Sequence, residues 1–233
     1  MLVAAAVCPH PPLIVPELAA GAAGELDALR AACDAAVADL LAARPDRVVA
    51  VGTGPETAEF PKGGAGSFSP YGVNLSVRLG AGGGDIEERL PLSLTIAAWL
   101  LGRTPVDVPV SGLAVAHDAD AVDCLASGAE LVSGDERVAL LVMGDGTACR
   151  TEKAPGYLDA RAEPYDAAAA LALANADVLA LAALDPRLSE ELGVSGRAAW
   201  QLLAGAADGA DLTGRLTYDE APYGVGYFVA VWS

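Results

Sequence analysis

The sequence predicts an α/β protein, a single domain spanning residues 1–233 with a mostly parallel central β-sheet flanked by helices on both faces. Three observations lead there. Short apolar runs of strand length recur at Met1–Val7, Arg47–Val51, Val106–Val115, Arg137–Met143 and Tyr227–Trp232. Stretches with helical spacing separate several of them, and a strand, helix, strand succession implies parallel neighbours. With 233 residues, 53% of them hydrophobic, the chain has the material for one α/β domain with a sizeable core.

The first run, LVAAAV, stops at Cys8, Pro9, His10, Pro11, Pro12. Such a strand delivers His10 to the carboxyl edge of the sheet, where open α/β folds bind their ligands. Prolines fix their own φ and bias the residue before them away from helix, so His10 is carried on a stiff loop. Stiffness suits a metal ligand or a catalytic base. An ordinary surface histidine between prolines is the competing expectation.

Glu25 to Ala43 follows with Leu26, Leu29, Val37, Leu40 and Leu41 on one face, an amphipathic helix that Arg44, Pro45 and Asp46 end. The strand Arg47–Val51 then runs into Gly52, Thr53, Gly54, Pro55, Glu56. Two glycines after a strand suggest a phosphate-binding turn. Against it, Thr57 stands where a third glycine belongs, Pro55 lacks a donor and Glu56 repels phosphate.

The segment Phe60 to Gly84 is rich in glycine, serine and proline around NLSVRL, and reads as an elaborated hairpin or a lid, the hairpin preferred. Asp85–Leu101 is expected to be helical, with Leu90, Leu94, Ile96, Ala97 and Leu101 inward. Val106–Val115 supplies a strand that leads to His117, which reads either as a site residue or as the start of a helix beside Asp118 and Asp120. A helix over Ala121–Leu131 and the strand Arg137–Met143 come next. That strand ends in Gly144, Asp145, Gly146, Thr147, Ala148, Cys149, Arg150, which makes Asp145, Thr147 and Arg150 candidates for a substrate pocket at the sheet edge. Lys153–Asp166 is polar, proline-punctuated and aromatic, as a substrate-facing loop or a packed surface loop would be. Helices are expected at Ala167–Ala183 and Gly196–Ala207. Tyr227–Trp232 is the last strand and Tyr218–Gly226 its approach.

A net charge of −17, from 31 acidic and 14 basic residues, repels phosphate backbones and anionic lipid, so nucleic acid and membrane are not expected partners. Nothing resembles a membrane span or a secretory leader, and a soluble cytoplasmic protein is the expectation. Four cysteines without CxxC spacing suggest reduced thiols.

Taken in order, CPHPPLIVPEL, the Pro-plus-ligand turn after the second strand, RVALLVMGDGTA, APGYLD, EPYD and the terminal APYGVGYFVAVW resemble the class III extradiol ring-cleavage dioxygenase B-subunit and Memo-like superfamily, in its alanine-rich bacterial branch. The resemblance runs over nearly the whole chain, and HPP and GDG carry most of it. It implies a single α/β domain and, in the enzymes, Fe(II) held by two histidines and a glutamate, with open positions for a catechol-like diolate and O2. The first family histidine falls on His10. The second falls on Glu56, and the acid/base histidine on Ala148 or Cys149, so two imidazoles are replaced. The glutamate ligand falls on Glu220, with Asp219 beside it.

The implied metal set is therefore His10, Glu56 and Glu220. Its extra anion favours Mn2+ or Mg2+ over Fe(II), and a metal-free chain is the other outcome. His117, Tyr157 or Tyr223 would handle protons in ring cleavage of a small aromatic substrate. Two rivals stand beside that reading: an inactive family member kept as a binding or scaffold protein, and a metal-dependent hydrolase. A homodimer formed through the apolar terminal strand is a further expectation.

Overall fold

Along β1 (Leu2–Cys8) the side chains divide between two cores. Ala4, Ala6 and Cys8 enter one, Leu2, Ala5 and Val7 the other. From Ala4 onward this is the period-two pleat of a strand buried on both faces, with Leu2 out of step across a register shift before Ala4, and it explains why the run reads as continuously apolar.

The computed structural model describes residues 1–80 and 89–233. After β1 come α1 (Pro16–Ala19), α2 (Asp27–Ala42), β2 (Arg47–Gly54), β3 (Ala58–Phe60), β4 (Ala65–Ser67), β5 (Ser76–Arg78), α3 (Leu92–Leu101), β6 (Val110–Ala116) and α4 (Ala121–Leu131). The second half holds β7 (Val138–Met143), α5 (Ala162–Ala174), α6 (Val178–Ala182), α7 (Pro186–Glu191), α8 (Arg197–Ala207), β8 (Gly214–Glu220) and β9 (Tyr227–Trp232). The seven-stranded sheet has the order β3-β6-β2-β7-β1-β9-β8. Its four central strands β6, β2, β7 and β1 are parallel. The flanks are antiparallel, β3 against β6 on one side and β9 and β8 beyond β1 on the other.

The centre of the sheet is thus parallel, as expected, and the sheet as a whole is mixed rather than purely parallel. The antiparallel flanks escape sequence reading for local reasons. β3 has three residues, and β8 alternates half-buried and exposed positions, Leu216 packing against one core and Tyr218 against the other across a register shift while Arg215, Thr217 and Asp219 are exposed, so it lacks the apolar run of a core strand. What reads as an approach to the last strand is itself largely an edge strand.

Helices α2 and α3 cover one face with Leu29, Val37, Leu40, Leu94 and Ile96, and α4, α5, α6 and α8 cover the other with Leu173, Leu181, Trp200, Leu202 and Leu203. The glycine-rich segment forms the β4–β5 hairpin, and Phe68 and Leu79 enter the α3 core from it.

Three boundaries shift. The helix expected from Asp85 begins at Leu92, because Pro91 disfavours helix at Leu90; residues 85–88 lie outside the described residues. β6 begins only after Pro109, which has no N–H for the ladder. The helix expected over Ala167–Ala183 starts earlier and breaks at Ala176, whose φ is +50°, before Asp177 caps α6 by accepting the Ala180 N–H at 3.0 Å. Among the described residues no helix is long and apolar enough to cross a membrane.

Candidate functional site

The carboxyl ends of β1 and β7 are tied together where the Gly144 N–H donates to the Cys8 carbonyl at 3.0 Å. This places the CPHPP loop directly beside Gly144–Gly146. His10 is not an exposed loop residue: only 7% of its surface is accessible. Its backbone N–H donates to Asp145 Oδ1 at 2.7 Å, and its Nδ1 lies 3.7 Å from the same oxygen. That second separation is too long for a hydrogen bond, and Nδ1 is buried without a partner among the described residues.

Asp145 is fixed from its other side by α8. Its N–H donates to Ser195 Oγ at 3.3 Å, and its carbonyl accepts the Gly196 N–H at 2.9 Å. Thr53 at the end of β2 donates its hydroxyl to the Ser195 carbonyl at 3.1 Å, so β2, β7 and α8 meet on Ser195. Tyr227, the first residue of β9, is close enough for the Asp145 carboxylate to act on it. Burial first, then Asp145, Tyr223 and Tyr218, push the Tyr227 phenol well above its ordinary range.

Below this corner a second network shapes the loop after β7. The buried Asp166 carboxylate accepts from the Thr147 N–H at 2.8 Å, the Thr147 hydroxyl at 2.9 Å and Arg150 Nη1 at 3.0 Å. Burial raises its carboxyl despite those donors. Two glycines make room for it: a Cβ on Gly146 would lie 2.6 Å from Asp166 Oδ1, and one on Gly226 2.5 Å from Oδ2. Of the three pocket candidates, Asp145 alone touches His10. Thr147 is wholly buried and Arg150 is bound to Asp166, so both hold the loop in shape.

The remaining candidates lie elsewhere. His117 follows β6, donates its N–H to the Gly54 carbonyl at 3.2 Å and lines a cavity of about 310 Å³ with Asp118, Ser195 and Arg197. Tyr157 is 74% exposed with φ +61°. Tyr223 donates its hydroxyl to Glu25 Oε2 at 2.9 Å and borders a separate groove of about 520 Å³ with Thr151, Glu152, Lys153 and Pro222. Glu56 is exposed in the turn after β2. Glu220 is exposed at the end of β8, where its Oε2 accepts from the Tyr218 hydroxyl at 3.3 Å.

Among the described residues there is no group of three or more His, Cys, Asp or Glu side chains able to hold a metal ion. His10, Glu56 and Glu220 therefore do not form the donor set that the resemblance implies, and no divalent-metal chemistry is derived from them. Gly52, half of the suspected phosphate turn, has a packing reason instead: a Cβ there would lie 2.5 Å from Ser93 Oγ, which donates to the Thr53 carbonyl at 2.7 Å as α3 crosses β2.

Ser195, Tyr227 and Asp166 contribute to the site without having stood out in the sequence. Ser195 precedes the Gly196–Ala207 helix and Asp166 closes the EPYD segment, so both carried a position signal but no chemical one. All four cysteines are free and buried. The terminal strand β9 lies between β1 and β8 with every residue buried, which leaves it no free face for a second copy.

No protein-family model matches the chain, and no curated protein does. Among solved structures it is similar to an uncharacterized protein of Escherichia coli K12, with a TM-score of 0.52 and 15% identity over 99% of both chains. At that identity the likeness concerns the fold alone.

Proposed function

We propose that this chain is a divergent extradiol-dioxygenase-like protein that binds a small hydroxylated aromatic molecule through His10 at the carboxyl edge of its sheet. The observation that supports the reading is the buried Nδ1 of His10, without a hydrogen-bond partner among the described residues, beside the Asp145 carboxylate. A buried imidazole nitrogen with no partner is costly, and a phenolic hydroxyl donating to it would recover about 1 kcal/mol or more. Asp145 in turn is held by Ser195 and Gly196, so the pair is positioned before any ligand arrives.

Binding is favoured over ring cleavage and over metal-dependent hydrolysis because the implied donors do not come together. The test is a thermal-shift series with catechol, phenol and cyclohexane-1,2-diol, with metal content and O2 uptake measured on the same samples. Catechol should stabilise metal-free wild-type protein, by about 2.7 kcal/mol at a hundredfold excess over Kd, and should leave His10→Ala unmoved. Stoichiometric iron with O2 uptake would replace binding by ring cleavage. No response to any of the three compounds would remove the reading.

A further inference from the structure

A cavity of about 310 Å³ opens between the turn after β6 and the start of α8. Its floor contains a buried cation. Arg197 is 3% exposed, and its guanidinium donates to the His117 carbonyl at 2.6 Å, to Gln201 Oε1 at 3.0 Å and to the Ala119 carbonyl. All three acceptors are neutral. Among the described residues Arg197 has no carboxylate partner, although burying an unpaired charge is expensive and a guanidinium has five N–H donors to place.

The start of α8 adds to the positive character of this floor. Gly196 caps the helix without a side-chain acceptor, and the Arg197 and Ala198 amides are left without hydrogen bonds among the described residues. The rim carries Arg187 and His117, but also the exposed Asp118 and Glu190 carboxylates. Those two acids penalise a doubly charged ligand more than a singly charged one.

We propose that this cavity binds the carboxylate end of a small organic anion, with the Arg197 guanidinium as its charge partner. The site is separate from the His10 corner. Ser195 stands between them, lining the cavity while its Oγ accepts the Asp145 N–H. The carboxylate ion-pairs with Arg197 near the amino end of α8, and the rest of the ligand rests against Pro186 and Val194 on the wall.

The test is an NMR titration of the intact chain with sodium benzoate, its neutral isostere benzamide, and inorganic phosphate, following the Arg197 Nε–H and His117 amide signals. Benzoate should shift both saturably, with benzamide about tenfold weaker or worse. Arg197→Gln also removes bonds that hold the β6–α4 turn, so the discriminating variant is Asp118→Asn at the exposed rim, which should tighten benzoate by about twofold to fivefold. His10→Ala should leave the benzoate titration unchanged, which keeps this result separate from that of the catechol series. Equal binding of benzamide, tighter binding of phosphate, no tightening in Asp118→Asn, or shifts confined to His10 and Asp145 would each overturn the assignment.

Discussion

Asp145 Oδ1 accepts the backbone N–H of His10 at 2.7 Å and stands 3.7 Å from the ring Nδ1 of the same residue. One carboxylate thus fixes the loop and sets the electrostatic surroundings of the imidazole it carries. The two roles separate on mutation. Asp145→Asn keeps an acceptor for the His10 amide and should cost less than about 1 kcal/mol, whereas Asp145→Ala orphans that amide and should cost about 1–3 kcal/mol. Urea denaturation of both variants checks the difference; equal losses would mean that the backbone bond contributes nothing.

The loop after β7 depends on glycine for space. Gly226→Ala places a methyl 2.5 Å from Asp166 Oδ2, and Gly146→Ala places one 2.6 Å from Oδ1 and 2.8 Å from the Phe228 ring. Each should destabilise by about 1–3 kcal/mol through overpacking. The exposed turn glycine Gly134, with nothing near its Cβ position, is the control and should be close to neutral on replacement by alanine. Thermal unfolding of the three variants decides the matter.

Much of this architecture was legible beforehand. Strands buried on both faces announce themselves, because residues such as Leu140 and Leu141 are apolar whichever core they enter. Edge strands do not. Leu216 and Tyr218 on β8 are only half-buried, against opposite cores, while their neighbours meet solvent, and β3 is too short to show a period. At the site, the glycines around Asp145 and the prolines around His10 marked both residues for the sheet edge. That Asp145 rather than Glu56 or Glu220 would stand beside His10 depends on which strand neighbours β1. Its parallel neighbour is β7, with β9 on the other side, and strand order is written in no local pattern. Thr147 and Arg150 were located at the correct edge, but their engagement with Asp166 needed the α5 position, nineteen and sixteen residues away.

Tyr165 supplies a pH prediction. Burial raises its phenol to about 12, while Ser189, with the two hydroxyl oxygens 2.7 Å apart, opposes the shift. A group whose folded-state value is raised contributes stability that is intact below its unfolded value, about 10, and is lost as pH climbs through the folded value. Stability should therefore fall between about pH 10 and 12. In Tyr165→Phe that part of the fall, about 2–3 kcal/mol, should vanish at the expense of a lower neutral-pH stability. Urea titrations across this range provide the check; an unchanged alkaline slope in the variant would place the loss on other groups.

The cysteines give a simpler expectation. Cys8 and Cys33 are buried free thiols, and the Cys8 thiol, followed by burial, holds the Cys33 thiol above its ordinary range. Buried protonated thiols react slowly. Native protein should resist labelling by a thiol reagent, and urea should expose all four cysteines together. Rapid labelling of the folded chain would contradict their placement.

The central claim is that His10 receives a ligand hydroxyl at its buried ring nitrogen without a resident metal. The most direct measurement is the ¹⁵N shift of the His10 imidazole in EDTA-treated protein titrated with 4-methylcatechol. A saturable change at Nδ1 is predicted, with the same compound silent toward His10→Ala. A ring that responds only after Fe(II) or Mn(II) is added, or that never responds, would contradict the account.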